Sequence, residues 1–240
     1  MANDARLVFM PGLGTDRRLF VEQLSRFPHA STCEWIAPKP DDNLRAYASR
    51  WAEQQDWSKP TILVGFAFGG MVALEATENH AAAREAVKGI VIVSGCRSGS
   101  AVSEGFRRQV AMSRMVPQAI LRQGLLCFAE RFSERDDLAD RHRQLLKEMA
   151  TEIDIEMFRW STKACSEWEY RGPVELSKQV PVFQIHGERD HVIPLVPGDP
   201  DTVLPNAGHL IQFTHANEVN AYIAKCAKEI GVSIHVKTKA

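Results

Sequence analysis

Short apolar runs alternate with longer amphipathic runs along most of the chain, and this alternation constrains the fold more than any other feature of the sequence. Apolar runs that predict strands lie near residues 6–10, 33–37, 61–66, 89–94 and 181–186, with a weaker one at 201–206. Between them, apolar residues at three- and four-residue spacing predict helices at 16–27, 43–55, 71–86 and 215–231. Buried strands that are joined by helices form a parallel sheet. The predicted class is therefore α/β, with a mostly parallel open sheet and helices on both faces.

The alternation stops at residues about 99–172, where no convincing strand is present. The stretches 101–115, 117–132 and 137–153 are amphipathic and predict helices instead. An all-helical insertion after the fourth strand predicts a cap over the carboxyl edge of the sheet, where ligands bind in open α/β folds. The alternative is a set of packing helices remote from any site. With 240 residues, of which 45% are hydrophobic, we expect one domain, 1–240, that includes this cap.

Composition narrows the choice of partner and compartment. The 29 basic and 30 acidic residues give a net charge of -1 without a long run of one sign, which argues against nucleic acid or an anionic membrane as a partner. We expect a small neutral or weakly charged molecule as the ligand, and no cofactor is implied. Five scattered cysteines indicate reduced thiols, and no apolar run approaches the roughly 20 residues of a spanning helix, so the expected compartment is the cytoplasm.

The segment Gly65-Phe66-Ala67-Phe68-Gly69 lies between a strongly β-forming run and a helix-forming run. Its spacing matches the G-x-S-x-G nucleophile elbow, in which the apex residue is strained and the flanking residues must be small because chain segments crowd together. Gly65 and Gly69 satisfy that demand. Ala67 stands at the apex and has no nucleophilic atom.

Three other segments agree with an elbow at this position. The sequence FMPGLG, residues 9–14, follows the first predicted strand; Asp190 lies just beyond the strand at 181–186, and His209 lies in a glycine-bearing loop before the last helix. The order of apex residue, Asp and His is that of the α/β-hydrolase triad. Taken singly, Asp190 is explained equally well as a turn cap and His209 as a loop histidine bonded to backbone. Their joint occurrence with the elbow favours a catalytic arrangement.

On these motifs the chain resembles the α/β-hydrolase superfamily over essentially its full length, and most of all its small bacterial esterase-type members with a helical cap. The resemblance implies that Asp190 supports His209, that His209 is general base and acid, and that the backbone amides of Leu13 and Phe68 form an oxyanion hole. Pro11 stands where many members have histidine, which is tolerable because that loop acts through its backbone. Ala67 in place of the nucleophile is not tolerable for acyl-enzyme chemistry.

Other polar and aromatic residues allow competing interpretations. His186 and His191 flank Glu188 and Asp190 closely enough to suggest a metal site, but the pair His-Gly before the acid loop is common in the resembling family, and we predict no metal.

Ser94 and Cys96, at the end of the fourth strand, would face the same cleft, and strand-end hydrogen bonding explains Ser94 without a catalytic role. Trp160 and Trp168, with Phe158 and Tyr170, would suit an apolar acyl pocket and would suit a cap core equally well.

Three readings of Ala67 remain open. In the first, the native residue is serine and Ala67 was introduced by design, so that a hydrolase of carboxylic esters or related acyl substrates is nearly inactive. In the second, alanine is native, and a His209 base, supported by Asp190 and the oxyanion hole, carries out chemistry of a lyase or of a cofactor-free oxygenase. In the third, the chain is a catalytically silent ligand-binding protein. Intact Asp190 and His209 argue against the third reading.

Overall fold

The computed structural model of the chain describes residues 4–113, 116–196, 198 and 200–237. Six strands form one sheet: β1 Arg6–Met10, β2 Ser31–Thr32, β3 Thr61–Phe66, β4 Val87–Val93, β5 Val182–Gly187 and β6 Thr202–Leu204. They are all parallel, in the order β2-β1-β3-β4-β5-β6. The predicted α/β class and parallel open sheet are confirmed.

Ten α-helices connect and flank the strands in the described part of the chain: α1 Val21–Arg26, α2 Leu44–Glu53, α3 Phe68–Asn79, α4 Ala81–Ala86, α5 Glu104–Ser113, α6 Gln118–Arg135, α7 Asp140–Glu152, α8 Ile155–Ser166, α9 Ile211–Thr214 and α10 Ala216–Ile230. Short 3₁₀ turns occupy Arg17–Phe20, Gly99–Ala101 and Leu176–Lys178. The helices predicted at 43–55 and 215–231 are confirmed, and the one at 16–27 is a 3₁₀ turn followed by α1. Helix α10 ends at Gly231, whose φ of 81° gives the left-handed cap that favours glycine. Among the described residues, no helix has both the length and the apolarity that a membrane crossing requires.

The sheet is buried on both faces because successive residues of a strand point to opposite sides. In β1, Leu7 and Phe9 belong to the apolar cluster that contains residues of α10. Their neighbours Val8 and Met10 belong to the cluster that contains residues of α2 and α3. This division explains why the strands are continuous apolar runs in the sequence rather than alternating ones.

Two predicted elements are corrected by the structure. The strand expected at 33–37 is wrong: β2 comprises Ser31–Thr32, and the pairing with β1 ends at the hydrogen bond from the Cys33 amide to the Phe9 carbonyl (2.8 Å). The helix expected at 71–86 is interrupted at His80, whose Nδ1 accepts a hydrogen bond from the Ala83 amide and starts α4. A histidine within an apolar helical pattern gives no sequence signal of a cap.

The insertion near 99–172 contains helices α5 to α8 and no strand in its described residues. The predicted helices at 117–132 and 137–153 are confirmed as α6 and α7, and that at 101–115 as α5, although Arg114 and Met115 lie outside the described residues. Helix α8 was not foreseen as a separate element. Side chains of the insertion reach the loops that follow the strands, because Ile153 and Phe158 pack beside Gly14, just after β1. The extent of a single domain, 1–240, stays a prediction.

Candidate active site

Ala67 forms the corner between β3 and α3 in a conformation that L-residues rarely adopt, with φ 47° and ψ -111°. Such a backbone costs on the order of 1–3 kcal/mol and persists only when its surroundings enforce it. Here the Ala67 amide donates to the Val93 carbonyl (3.1 Å), and the Ala67 carbonyl accepts from the Gly70 amide (3.0 Å). Ala67 is 7% exposed, so the corner is packed and only a small part of this residue is accessible from outside.

Glycines make the corner sterically feasible. A Cβ atom on Gly65 would lie 2.4 Å from the Gly70 nitrogen, and one on Gly69 would lie 2.1 Å from the Met10 carbonyl oxygen. A Cβ on Gly12 would lie 3.5 Å from the Ala67 Cβ. The loop after β1 therefore runs directly past the methyl group of Ala67.

Two backbone amides belong to the segments that meet at this corner, one in the loop after β1 and one at the start of α3. Within the described residues, neither the Leu13 nor the Phe68 amide donates a hydrogen bond to the protein. Phe68 is the first residue of α3, so its N–H has no partner within the helix and lies at the positive end of the helix dipole. Both amides can donate to an oxygen that carries negative charge.

Asp190 and His209 form a direct hydrogen bond in the loops that follow β5 and β6. His209 Nδ1 lies 2.6 Å from Asp190 Oδ2, while Asp190 Oδ1 accepts from the Val192 and Ile193 amides (2.9 Å each). Both side chains are buried, at 5% exposure for Asp190 and 6% for His209. Burial alone would raise the pKa of Asp190, but the charge of His209 and its hydrogen bond hold that pKa below the ordinary value. The carboxylate thus stays ionised and fixes the imidazole.

Aromatic rings surround the imidazole of His209. The Phe66 ring centroid lies 4.8 Å from that of His209, and the Phe132 ring of α6 meets it edge-on at 6.0 Å. No described residue hydrogen-bonds to His209 Nε2. Phe66 immediately precedes Ala67, so its ring contact places the imidazole near the corner.

His186 is a second histidine on Asp190. Its Nε2 lies 3.3 Å from Asp190 Oδ2 and donates to the Ile193 carbonyl (2.9 Å). Burial lowers the pKa of His186 from 6.5, so the side chain is neutral at pH 7 and ties down the loop that carries Asp190. His191 is exposed. In the part of the chain that the structure describes, no group of three or more His, Cys, Asp or Glu side chains could hold a metal ion.

The residues predicted for a substrate pocket have different surroundings. Trp160 is half-buried, with its ring centroid 6.3 Å from that of Phe68 and its Nε1 donating to the Asp42 carbonyl (3.1 Å). Trp168 is buried and donates to Glu75 Oε1 (2.9 Å), which attaches the end of the insertion to α3. Of the two tryptophans, Trp160 lies next to the corner and Trp168 serves packing.

Ser94 is fully buried and has a φ of 45°. Its amide donates to the Ile185 carbonyl (3.0 Å), and its Oγ has no hydrogen-bond partner among the described residues. Cys96 is also buried. Because neither side chain is accessible, neither can meet a substrate in this conformation.

Several neighbours of the site were not foreseen from the sequence. Trp35 meets the Phe68 ring edge-on at 5.4 Å, and Ile153 packs beside Gly14 together with Phe158, which the sequence had indicated for the pocket. Asp136, at the end of α6, accepts a hydrogen bond from the Leu210 amide (3.0 Å), one residue beyond His209. These contacts join segments far apart in the chain, and periodicity within one helix does not reveal its partner.

Comparison with known proteins agrees with this geometry. Residues 7–222 match the family model described as "Alpha/beta hydrolase family". A search of curated protein sequences gives no match.

Solved structures with a similar fold include a thermophilic esterase from Thermogutta terrifontis, with 16% identity and a TM-score of 0.68 over 97% of this chain and 92% of the other. An esterase from Exiguobacterium antarcticum has 16% identity and a TM-score of 0.71 over 95% and 93% of the two chains. A bromoperoxidase from Bacillus anthracis has 15% identity and a TM-score of 0.68 over 95% and 93%. At these identities the likeness concerns the fold.

Proposed function

Since the chain belongs to the α/β-hydrolase family, we propose that it carries the site of a hydrolase of carboxylic esters or related acyl substrates, with Ala67 at the position of the nucleophile. The observation that carries this proposal is the 2.6 Å hydrogen bond between His209 and Asp190, in a chain whose elbow residue is held at a φ of 47°. An elbow of this kind projects its side chain toward the base and the substrate.

A serine at position 67 would complete the reaction as follows. His209 Nε2 accepts the hydroxyl proton while Nδ1–H donates to Asp190, and the serine oxygen attacks the ester carbonyl. The Leu13 and Phe68 amides donate to the oxyanion of the tetrahedral intermediate. The imidazolium then gives its proton to the leaving alkoxide, which departs as an alcohol. Water next attacks the acyl carbon while His209 Nε2 accepts its proton, and the second intermediate releases a carboxylic acid as the imidazolium returns a proton to the serine oxygen.

The surroundings of the proposed oxyanion hole favour an apolar acyl group. Trp35 and Trp160 both lie edge-on to Phe68, and the rings of Phe66 and Phe132 surround His209. Apolar walls with a few polar groups that converge on one point are typical of small-molecule sites. We therefore propose a small uncharged ester as the substrate, with Trp160 in the acyl pocket and Ser94 and Trp168 outside it.

A second candidate is base-catalysed chemistry without an acyl-enzyme, of the lyase or cofactor-free oxygenase type. It is favoured by one observation: within the described residues nothing hydrogen-bonds to His209 Nε2 or accepts from the Leu13 and Phe68 amides, so a base and two donors are present without any group from residue 67. In this case His209 would remove a proton from the substrate and the two amides would hold the resulting anion. A catalytically silent binding protein would have no use for the hydrogen-bonded Asp190–His209 pair.

The test is to restore an oxygen with Ala67→Ser and to measure hydrolysis of short, medium and aromatic activated esters. Removal of a triad member leaves roughly 10³ to 10⁴-fold catalysis over water, so Ala67→Ser should raise kcat on the order of 10³-fold or more. Ala67→Gly is the matched control, because it changes the same residue without adding a nucleophile. Adding His209→Ala to Ala67→Ser should remove the gain, since the two residues act as a unit.

The two candidates separate in this experiment. If folded Ala67→Ser protein hydrolyses none of the esters, the ester hydrolase is abandoned. The base-only candidate predicts instead that Ala67→Ser adds little esterase activity and that His209→Ala alone abolishes turnover of a substrate that is not an ester.

A further inference from the structure

Asp136, the residue after α6, contacts the chain on both sides of His209. Its Oδ2 accepts a hydrogen bond from the Leu210 amide (3.0 Å). Its Oδ1 and Oδ2 also lie 2.3 Å and 2.6 Å from the place where a Cβ atom on Gly208 would be. The Asp136 carboxylate of the insertion therefore packs against the backbone that carries the His209 imidazole.

The position of Asp136 is not explained by the stability of α6. The Asp136 amide closes the helix on the Phe132 carbonyl (3.0 Å), so its carboxylate lies at the negative end of an 18-residue helix, where an acidic side chain is unfavourable. An ionised carboxylate that accepts a backbone amide makes a strong hydrogen bond, which offsets that cost. The favourable contact of this side chain is the His209 loop.

The segment that carries Asp190 also holds this loop. The Arg189 amide donates to the Ala207 carbonyl (2.8 Å), and a Cβ on Gly187 would lie 2.1 Å from the Gly208 carbonyl oxygen. The backbone before His209 thus contacts both the end of β5 and the residue after α6. Phe132, one turn before Asp136, adds its edge-on contact to the His209 ring.

We propose that Asp136 is a positioning residue that holds the His209 loop, so that Nδ1–H of the imidazole stays aligned with Asp190. The inference rests on the proposed role of His209 as the base. It assigns to α6 a function besides covering the site: the insertion fixes the geometry of the proton-transfer group. Asp136 itself touches neither the substrate nor the proton.

The first test uses the chain as it stands, without an activity assay. The proton shared by His209 Nδ1 and Asp190 should give a far-downfield ¹H resonance, assigned by its loss in His209→Ala. Asp136→Ala should broaden or remove this resonance at unchanged circular dichroism, because a misaligned proton exchanges with water. Asp136→Asn keeps an acceptor for the Leu210 amide and should retain the resonance. The control is Asp137→Asn, which removes the neighbouring charge from a side chain that is 101% exposed.

A double-mutant cycle with Gly208 tests the contact itself. Gly208 has no positive φ, so alanine is compatible with its backbone, and the three atoms nearest to the added methyl group belong to the Asp136 carboxylate. Gly208→Ala should displace that carboxylate and reproduce the effect of Asp136→Ala. The double variant should affect the His209–Asp190 proton resonance no more than Asp136→Ala alone, because without the Asp136 carboxylate the added methyl group meets no clash.

With Ala67→Ser in place, kinetics supply a readout that a purely structural role would not move. Asp136→Ala should lower kcat by about 10-fold to 10²-fold with KM nearly unchanged, since small misplacement of a catalytic group has effects of this size. Asp136→Asn should restore most of the loss.

Each outcome decides between explanations. If Asp136→Ala leaves both the resonance and kcat as they were, the inference is wrong. If Asp136→Ala does not fold, Gly208→Ala is judged by the same resonance and the same kcat, because it keeps the Asp136 carboxylate and only displaces it from the His209 loop. If the resonance responds but Ala67→Ser hydrolyses no ester, the positioning role stands and the hydrolase proposal fails.

Discussion

Gly69→Ala tests whether the loop after β1 is packed against the start of α3 as the site requires. A Cβ atom on Gly69 would lie 2.1 Å from the Met10 carbonyl oxygen, 2.6 Å from the Met10 carbonyl carbon and 2.7 Å from the Pro11 carbonyl oxygen. All three are backbone atoms at the end of β1, so no side-chain rotation can relieve the clash. The loop that carries Leu13 would have to move.

The expected loss follows from the size of that movement. Ordinary contact begins at 3.4 Å, so the gap must widen by about 1.3 Å, the difference between 3.4 Å and 2.1 Å. Alanine gains about 0.5–1 kcal/mol over glycine within a helix, whereas overpacking costs typically 1–3 kcal/mol and more when backbone is displaced. Because the clash is with backbone, the cost should lie at the upper end of its range, and we expect a net loss of about 2 kcal/mol in the free energy of unfolding.

Gly70→Ala is the matched control, because it makes the same change one residue later in α3. Its nearest contact is the Ile92 Cγ2 methyl at 3.2 Å, which is part of a side chain and can yield. Its stability should stay within about 1 kcal/mol of the parent, because the helix gain offsets mild crowding. Urea unfolding followed by circular dichroism measures both variants. Equal midpoints for the two variants would refute the packing of β1 on α3 and would remove the support for an oxyanion hole at Leu13.

Two further predictions concern charge and burial. Asp190→Asn should lower the free energy of unfolding at pH 7 by about 1.5–3 kcal/mol, the usual contribution of hydrogen bonds to a charged group. Because the folded pKa of Asp190 lies below its ordinary 3.8, this stabilisation is full above the ordinary value and is lost as the pH falls through the folded pKa. The difference between the urea midpoints of parent and variant should therefore begin to shrink below about pH 4 and continue to shrink as the pH falls further, and a constant difference would contradict the assignment. In native alkylation followed by mass spectrometry, exposed Cys127 should react well before buried Cys165, whose pKa is raised by burial, and equal rates would contradict that burial.

The main strands could be predicted because their apolarity is a local property of the sequence. The segment after β2 shows where this reasoning fails. Its apolar residues resemble a strand, but its carbonyl groups are satisfied by side chains of α2: Glu34 accepts from Trp51 Nε1 (3.2 Å) and Ile36 accepts from Tyr47 Oη (3.0 Å). An apolar run indicates that a segment is buried, and a segment that packs on a helix is buried without being a strand.

The candidate site divides along the same line. Three site residues follow strands and have glycine nearby in the sequence, so each could be identified from its local sequence: Ala67, Asp190 and His209. Phe132 lies in the amphipathic helix α6 and Asp136 directly follows it, and the two residues reach the ring of His209 and the amide of Leu210 only after folding. Their contribution depends on contacts with a loop far along the chain, since Asp136 and Leu210 are 74 residues apart, and no spacing within α6 distinguishes them from ordinary surface and core residues.

The strained backbone of Ala67 helps to decide between an ester hydrolase and a ligand-binding protein. A methyl group makes no hydrogen bond, so alanine gains nothing from a backbone that costs on the order of 1–3 kcal/mol. The surrounding chain nevertheless enforces it through the Val93 carbonyl, the Gly70 amide and the close packing of Gly69 on β1. Residues that bind a ligand through an apolar surface do not need such a corner, whereas a nucleophile does, because the corner lifts its side chain clear of the strand and of the helix. A reactive side chain at position 67 would need this strained corner, and the strain therefore favours the proposed ester hydrolase over a binding protein.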